Sequence, residues 1–260
     1  MGKYKLLKIV FITAIFFALS FLISRNFNSI DLTDKIVFIP IKGVIVSGEN
    51  GGLLNEEVTT STDVINYLKK AEQDKTIKGI ILEINSPGGT AIGSKEIADE
   101  VKKINKPVVA WIRGVGASGA YWVASASDSI VADPLSITGS IGVIGSYLEF
   151  EGLMEKYGVN YERLVTGKFK DTGSPYRELT NEERQLLLGK LNIIHNIFKK
   201  EVNENRKKDL SVYSNGEFFL GIEAKEIGLI DHLGSKETAI EVTKKLANIK
   251  EAKTVSFKIK

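Results

Sequence analysis

The stretch GVGASGAYWVA, residues 114–124, sets one nucleophilic side chain, Ser118, among glycines and alanines and ends in an aromatic pair. A serine hydroxyl is a weak nucleophile until a neighbouring base takes its proton. Where such a serine leads from a strand into a helix, the first N–H groups of the helix have no intrahelical partner and can hold an oxyanion. The same small residues also suit two segments packed closely together, so the setting alone leaves both roles open.

The chain contains no cysteine, which excludes a thiolate nucleophile, a disulfide scaffold and any Cys-ligated metal. It has two histidines, His195 and His232, which disfavours a multi-histidine metal site. As bases for Ser118 both are poor choices: His195 lies beside the apolar stripe of a helical segment, His232 lies in LIDHLG, and neither adjoins a glycine-rich motif. A lysine can act instead where desolvation favours its neutral form. That directs attention to VTGKFKDTGSPY, residues 165–176, where Lys168 and Lys170 alternate around Phe169 and face one side if the segment is extended. Two solvated lysines are the simpler alternative.

A second glycine loop, NSPGG at 85–89, follows an apolar run just as Ser118 does. Parallel strands would bring both loops to one C-terminal sheet edge, where the N–H of Gly89 could point towards Ser118. A plain Pro-Gly-Gly turn remains the competing reading. No phosphate-binding or dinucleotide-binding glycine motif opens a helix, so no cofactor is expected.

The elements that must position these residues read as one α/β domain. KIVFIPIKGVIV (35–46), IKGIILEI (77–84) and KPVVAWIRG (106–114) are apolar, β-branched runs of the buried parallel-strand kind. Helical patterns fall at 62–70, 94–104 and 116–128, giving strand–helix–strand alternation. Short strands or turns follow at 128–145. EFEGLMEKYG reads as a helix with Phe150, Leu153, Met154 and Tyr157 facing inward, and VNYERLVTG as a further strand. Thr180-x-x-Glu183 is a capping box for a helix presenting Leu187, Leu191, Ile194, Phe198 and Val202 along one side. A short helix, a turn at Gly228, a short strand and a closing helix complete the chain.

At 260 residues there is room for one well-buried core. With 35 Lys+Arg against 32 Asp+Glu, a formal charge of +3 and basic residues mostly scattered among acidic ones, no nucleic-acid partner is expected. The N-terminus is different. Residues 9–23 are unbroken apolar or hydroxyl-bearing, and counting from Leu6 makes the run long enough to approach a hydrocarbon core of about 30 Å. Lys3, Lys5 and Lys8 precede it, so the positive-inside rule puts the N-terminus in the cytoplasm and the remainder outside. No small-x-small cleavage site follows, which favours a retained anchor. The expected organisation is a cytoplasmic tip and transmembrane helix over 1–25, a linker over 26–34 and an extracytoplasmic domain over 35–260, with membrane lipid as a partner of residues 6–23.

At Ser118 and Lys170 the sequence resembles the signal peptide peptidase A family of membrane-anchored serine proteases, whose fold is of the caseinolytic-protease and crotonase kind. The resemblance runs from about residue 36 to 234, through LEINSPGG, GVGASGAYWVASASD, ADPLSITGSIGV, TGKFKDTGSPYRELT and GIEAKEIGLIDHLG in order. It implies Ser118 as nucleophile, Lys170 as general base, the N–H groups of Gly89 and Gly119 as oxyanion hole, and Ser140 as the residue orienting the lysine. Lys168 falls beside the matched base position. One set of motifs resembles the family's short form, which implies a homo-oligomeric ring whose subunits complete one another's sites. The implied substrates are remnant signal peptides and other unfolded apolar peptides. Two rivals stand beside this: a catalytically silent membrane-tethered assembly or binding module of the same fold, and a crotonase-like enzyme acting on an acyl-CoA thioester, against which the N-terminal anchor argues.

Overall fold

The structure is a computed structural model describing residues 2–27, 33–48 and 58–257. The chain divides into two units, Met1–Asp34 and Lys35–Lys260.

In its described residues the first unit contains one helix, α1 (Lys3–Phe27). Among the described residues no helix is long and apolar enough to cross a membrane. The expected span over 6–23 therefore receives no support from the described residues, and most of the expected linker lies outside them.

In the second unit a parallel sheet runs in the order β2-β1-β3-β4-β5-β8. Its strands are β1 (Lys35–Val46), β2 (Val58–Thr60), β3 (Ile77–Gly89), β4 (Val108–Ala117), β5 (Ser129–Ala132) and β8 (His232–Leu233). β6 (Ile137–Gly139) extends the sheet beside the end of β4 and pairs antiparallel with β7 (Phe218–Leu220), while β9 (Lys253–Ser256) joins β1. The apolar runs are strands because both sheet faces are covered. Alternate residues Val37, Ile39, Ile41, Ile80, Leu82 and Ile84 enter one core, shared with Leu68 of α2 (Ser61–Gln73), Ile97 of α3 (Ala91–Val101) and Tyr121 of α4 (Gly119–Ser125). The intervening Ile36, Phe38, Ile81, Val109 and Trp111 enter a second, closed by Ala239 of α8 (Lys236–Leu246). Each such large side chain contributes about 1.5–3 kcal/mol relative to exposure.

NSPGG does not turn the chain. It continues β3, pairing Val44 with Gly88 and Ile45 with Gly89 after a register shift at Lys42/Val44. The next departure lies between Ser140 and Thr180. VNYERLVTG forms no strand, and α5 (Glu151–Lys156) buries none of its residues. Leu153 is 55% exposed and Tyr157 71%, so the stripe expected to face inward faces out. Within the described residues Leu153 and Tyr157 of this stripe stay uncovered, and an apolar pattern alone does not say what will cover them. α6 (Asn181–Arg206) starts at the expected capping box and buries Phe198 and Val202, with Leu187, Leu191 and Ile194 half-buried. α7 (Gly221–Ile227) ends at Gly228 in the left-handed region, φ 86°.

Candidate active site

Ser118 occupies the joint between β4 and α4 with φ 52° and ψ −126°, a conformation few non-glycine residues adopt. Both of its backbone groups are engaged. Its N–H donates to the Gly139 carbonyl at 2.8 Å, and its carbonyl accepts from Trp122 N–H at 3.0 Å. The helix behind it is fixed as firmly: all seven residues of α4 are buried, Tyr121 Oη donates to the Leu229 carbonyl at 2.8 Å, and Trp122 stacks on Phe198 with ring centroids 4.5 Å apart. Trp122 Nε1 also donates to Glu201 at 3.0 Å, a carboxylate paired with Lys95 and Lys102. The strained residue is held by its surroundings and faces a cleft at the strand ends.

The glycine loop of β3 lies against this joint. A Cβ on Gly88, φ 100°, would fall 2.7 Å from Gly119 N and 3.0 Å from Ser118 Cβ. One on Gly89 would fall 1.9 Å from the Ile45 carbonyl oxygen, and one on Gly119 2.1 Å from Ser94 Oγ and 3.3 Å from Gly89 N. Gly88 and Gly89 need glycine because backbones approach there, and Gly119 because the Ser94 side chain does. Thr90 N–H donates to the Ile45 carbonyl at 2.8 Å, on the β1 side. Because successive N–H groups of an extended chain point to opposite edges, Gly89 N–H points away from β1, towards β4 and α4. Gly119 opens α4, where N–H groups lack intrahelical partners. Two backbone donors therefore converge beside Ser118, an arrangement suited to an oxyanion.

Ser140 follows Gly139, which pairs with Ala117, so Ser140 and Ser118 are register neighbours at the ends of β6 and β4. Ser140 also has positive φ, 50°, and donates its N–H to the Glu217 carbonyl at 2.7 Å. His195 Nε2 lies 3.2 Å from the Ile141 carbonyl oxygen, a structural contact. His232 is exposed on β8.

The structure brings Ser118, Gly89, Gly119 and Ser140 together but not Lys170. The Ser118 cleft is closed by Trp122, residues 142–144 and Leu191, Ile194 and Phe198 of α6, and Lys170 does not line it. Lys168 and Lys170 do not alternate along an extended segment either, since residues 166–173 form consecutive turns. Lys168 is paired with Glu182, whereas the exposed Lys170 amine has no partner among the described residues.

Sequence reasoning missed the network around those turns. Asp171 accepts from Arg163 at 2.7 Å through each of two nitrogens and from Arg177 at 3.0 Å. These bonds hold its carboxyl far below the usual carboxylate range. Arg177 reaches Glu183 as well, and with the Thr180 N–H lowers that carboxyl to about 2. The capping-box glutamate was the signal available in the sequence; its arginine partner was not. Among the described residues no cluster of His, Cys, Asp or Glu could hold a metal ion.

Comparison with known proteins agrees with this fold. The profile described as Peptidase family S49 matches residues 100–250, and that of Clp protease residues 52–131. A candidate protease of Methanocaldococcus jannaschii, MJ0651, is 36% identical over 80% of this chain and 69% of its own length. A candidate signal peptide peptidase SppA of Enterococcus faecium is 34% identical over 86% of this chain and 67% of its own. Protease 4 of Haemophilus influenzae is 31% identical over 84% of this chain, which spans only 36% of that longer protein. Among solved structures, a mutant of 1510-N, a membrane-bound stomatin-specific protease, superposes with TM-score 0.57 at 14% identity, covering 88% of this chain and 99% of that one. That likeness concerns the fold. The profile and the relatives go further: this chain belongs to peptidase family S49 and is a serine protease with a Clp-protease-like α/β domain.

Proposed function

We propose that the protein is a membrane-anchored serine endopeptidase that uses Ser118 as nucleophile and Lys170 of a neighbouring subunit as general base, and that it degrades remnant signal peptides and other unfolded apolar peptides. The observation that carries this reading is the division of the site. Ser118 is strained, backed by a buried helix and flanked by two converging N–H groups, while Lys170 stands exposed on an arm outside its own cleft. A homo-oligomeric ring would supply each cleft with a lysine from next door and cover the exposed stripe at Leu153 and Tyr157.

In this mechanism Ser118 Oγ attacks the scissile carbonyl as its proton passes to the neutral Lys170 amine. The oxygen that gains charge accepts from Gly89 and Gly119 N–H, and Lys170 returns the proton to the departing amine. Water, deprotonated by the same amine, then releases the acyl group. Ser140, at the end of β6, orients the lysine.

The anchor is proposed on the apolar run at residues 6–23, preceded by lysines. It puts the domain outside the cytoplasmic face, close to the bilayer where signal-peptide fragments remain. The name of the 1510-N neighbour, membrane-bound, is compatible with that placement.

Subunit mixing tests the division directly. Ser118→Ala and Lys170→Ala proteins should each be inactive on a fluorogenic peptide, and co-assembled in equal amounts they should regain about a quarter of the sites, because random pairing reunites an intact serine with a neighbour's intact lysine that often. A fluorophosphonate should label Ser118 in the parent. Full activity in Lys170→Ala protein defeats the dyad, and no recovery on mixing defeats the shared site.

A further inference from the structure

We propose that Asp171, Arg177 and Glu183 form a clamp that positions Lys170, making Arg177 a positioning residue for turnover; this rests on the reading of Lys170 as the base. Lys170 lies in turns closed by short-range backbone bonds, Lys170 N–H to the Gly167 carbonyl at 3.1 Å, Thr172 to Phe169 at 3.3 Å and Ser174 to Asp171 at 2.9 Å, with one weak side-chain bond from Thr172 Oγ1 to Glu183 at 3.3 Å. No apolar side chain of residues 166–175 is buried, so packing does not fix the loop. The residue after the lysine is nevertheless tied down. Asp171 is gripped by Arg163, and Arg177 Nε donates to it at 3.0 Å while the same guanidinium donates to Glu183 at 2.8 and 2.5 Å.

Glu183 is the fixed end. It is buried, a rare state for glutamate, and it completes the capping box of α6 by accepting from Thr180 N–H at 2.9 Å. α6 then runs on to Leu191, Ile194 and Phe198, which line the Ser118 cleft. One guanidinium thus links the residue beside Lys170 to the helix that shapes the nucleophile's cleft. A planar fork with several donors can bridge two carboxylates at once, whereas an ammonium is a single point of charge.

The clamp predicts a defect in the base that leaves substrate binding alone. In the whole chain, Arg177→Met should lower kcat on a fluorogenic peptide about 10- to 100-fold, since a shift of about 1 Å in a positioned group can cost about 10²-fold, with KM near the parental value and with circular dichroism and sedimentation unchanged. Arg177→Lys, which can hold only one carboxylate well, should fall between. Added methylamine, a free base, should raise the rate of Arg177→Met several-fold, as it raises that of Lys170→Ala, and leave the parent unchanged. Parental kcat in Arg177→Met overturns the clamp, and so does a lowered kcat that methylamine leaves untouched while rescuing Lys170→Ala. If the amine rescues neither variant, Arg177→Lys decides: kcat above that of Arg177→Met supports the clamp and equality overturns it. Full activity in Lys170→Ala is the separate outcome that removes the underlying dyad.

Discussion

The joint at Ser118 and the turns at Lys170 are held by different forces. Around Ser118 the fixings are backbone hydrogen bonds to Gly139 and Trp122, close glycine contacts and a buried helix carrying Tyr121 and Trp122. Around Lys170 they are ion pairs, Arg163 with Asp171 and Arg177 with both the part-buried Asp171 and the buried Glu183. A core-backed joint tolerates strain, because its neighbours determine its conformation many times over. An ion-held arm with an uncovered apolar stripe is suited to meeting a partner. The Ser118 side is built within one chain, and the proposal that Lys170 serves a neighbouring chain rests on the exposure of its arm.

The hardest test of that contrast is at the joint itself. Ser118→Gly removes the oxygen proposed to attack, so turnover should fall by at least about 10³-fold. The same change should stabilise the fold by about 1 kcal/mol or more, because φ 52° is costly for serine and free for glycine. A variant that is inactive and melts higher is the expected result, and unchanged or lower thermal stability would remove strain from the account of the joint.

Gly89→Ala should come next. Its methyl group would overlap the Ile45 carbonyl, so β3 must shift and with it one of the two N–H groups facing Ser118. Losing one oxyanion donor costs about 10²- to 10³-fold in kcat. Near-parental turnover in a folded Gly89→Ala protein would show that this N–H is not used.

What the sequence disclosed follows the same division. β1, β3 and β4 were readable because both faces of the sheet are covered and their side chains are apolar throughout. Ser118 and Gly89 stood out as candidates with both roles open, and Gly119 entered only through the family resemblance, because small-residue spacing does not separate close packing from an oxyanion site. NSPGG misled, since proline and glycine signal a turn, whereas here the glycines keep a strand thin enough to pass the β4–α4 joint. The stripe of Phe150, Leu153, Met154 and Tyr157 was visible as a pattern, but pattern does not say whether cover comes from the same chain or another. The Arg177 clamp joins residues whose partnership depends on how three successive turns fold, which no periodicity records.

Stability should separate the regions more gently. Tyr121→Phe leaves the buried Leu229 carbonyl without its donor and should cost about 1–3 kcal/mol, read as a lowered Tm or denaturant midpoint. Leu153→Ala, on the exposed stripe, should change the stability of a dilute subunit by less than about 0.5 kcal/mol. Its effect should appear in sedimentation as weaker assembly. A large loss of subunit stability would instead mean that the arm packs on its own chain.

The smallest effect is expected from acid, and it bears on the arm alone. Glu183, folded at about 2, lies below the ordinary glutamate value of about 4.3, and the Asp171 carboxyl is lowered by its two arginines. A carboxyl whose folded pKa is depressed contributes stability that is complete above its unfolded pKa and disappears as pH falls through the folded one. The clamp should therefore persist from neutrality to about pH 4 and fail between there and pH 2. At the joint, the Ser118 bonds to Gly139 and Trp122 join backbone groups that do not titrate. Hydrogen exchange followed by peptide mass analysis from pH 5 to pH 2, corrected for intrinsic rates, should show protection lost over residues 167–183 while residues 114–125 stay protected. In Arg177→Met protein the arm should already be exchanging at pH 5, since Asp171 and Glu183 no longer share a cation. Simultaneous loss of protection in both regions would mean that the arm opens only with the whole domain, and the contrast between a core-held Ser118 and an ion-held arm at Lys170 would be lost.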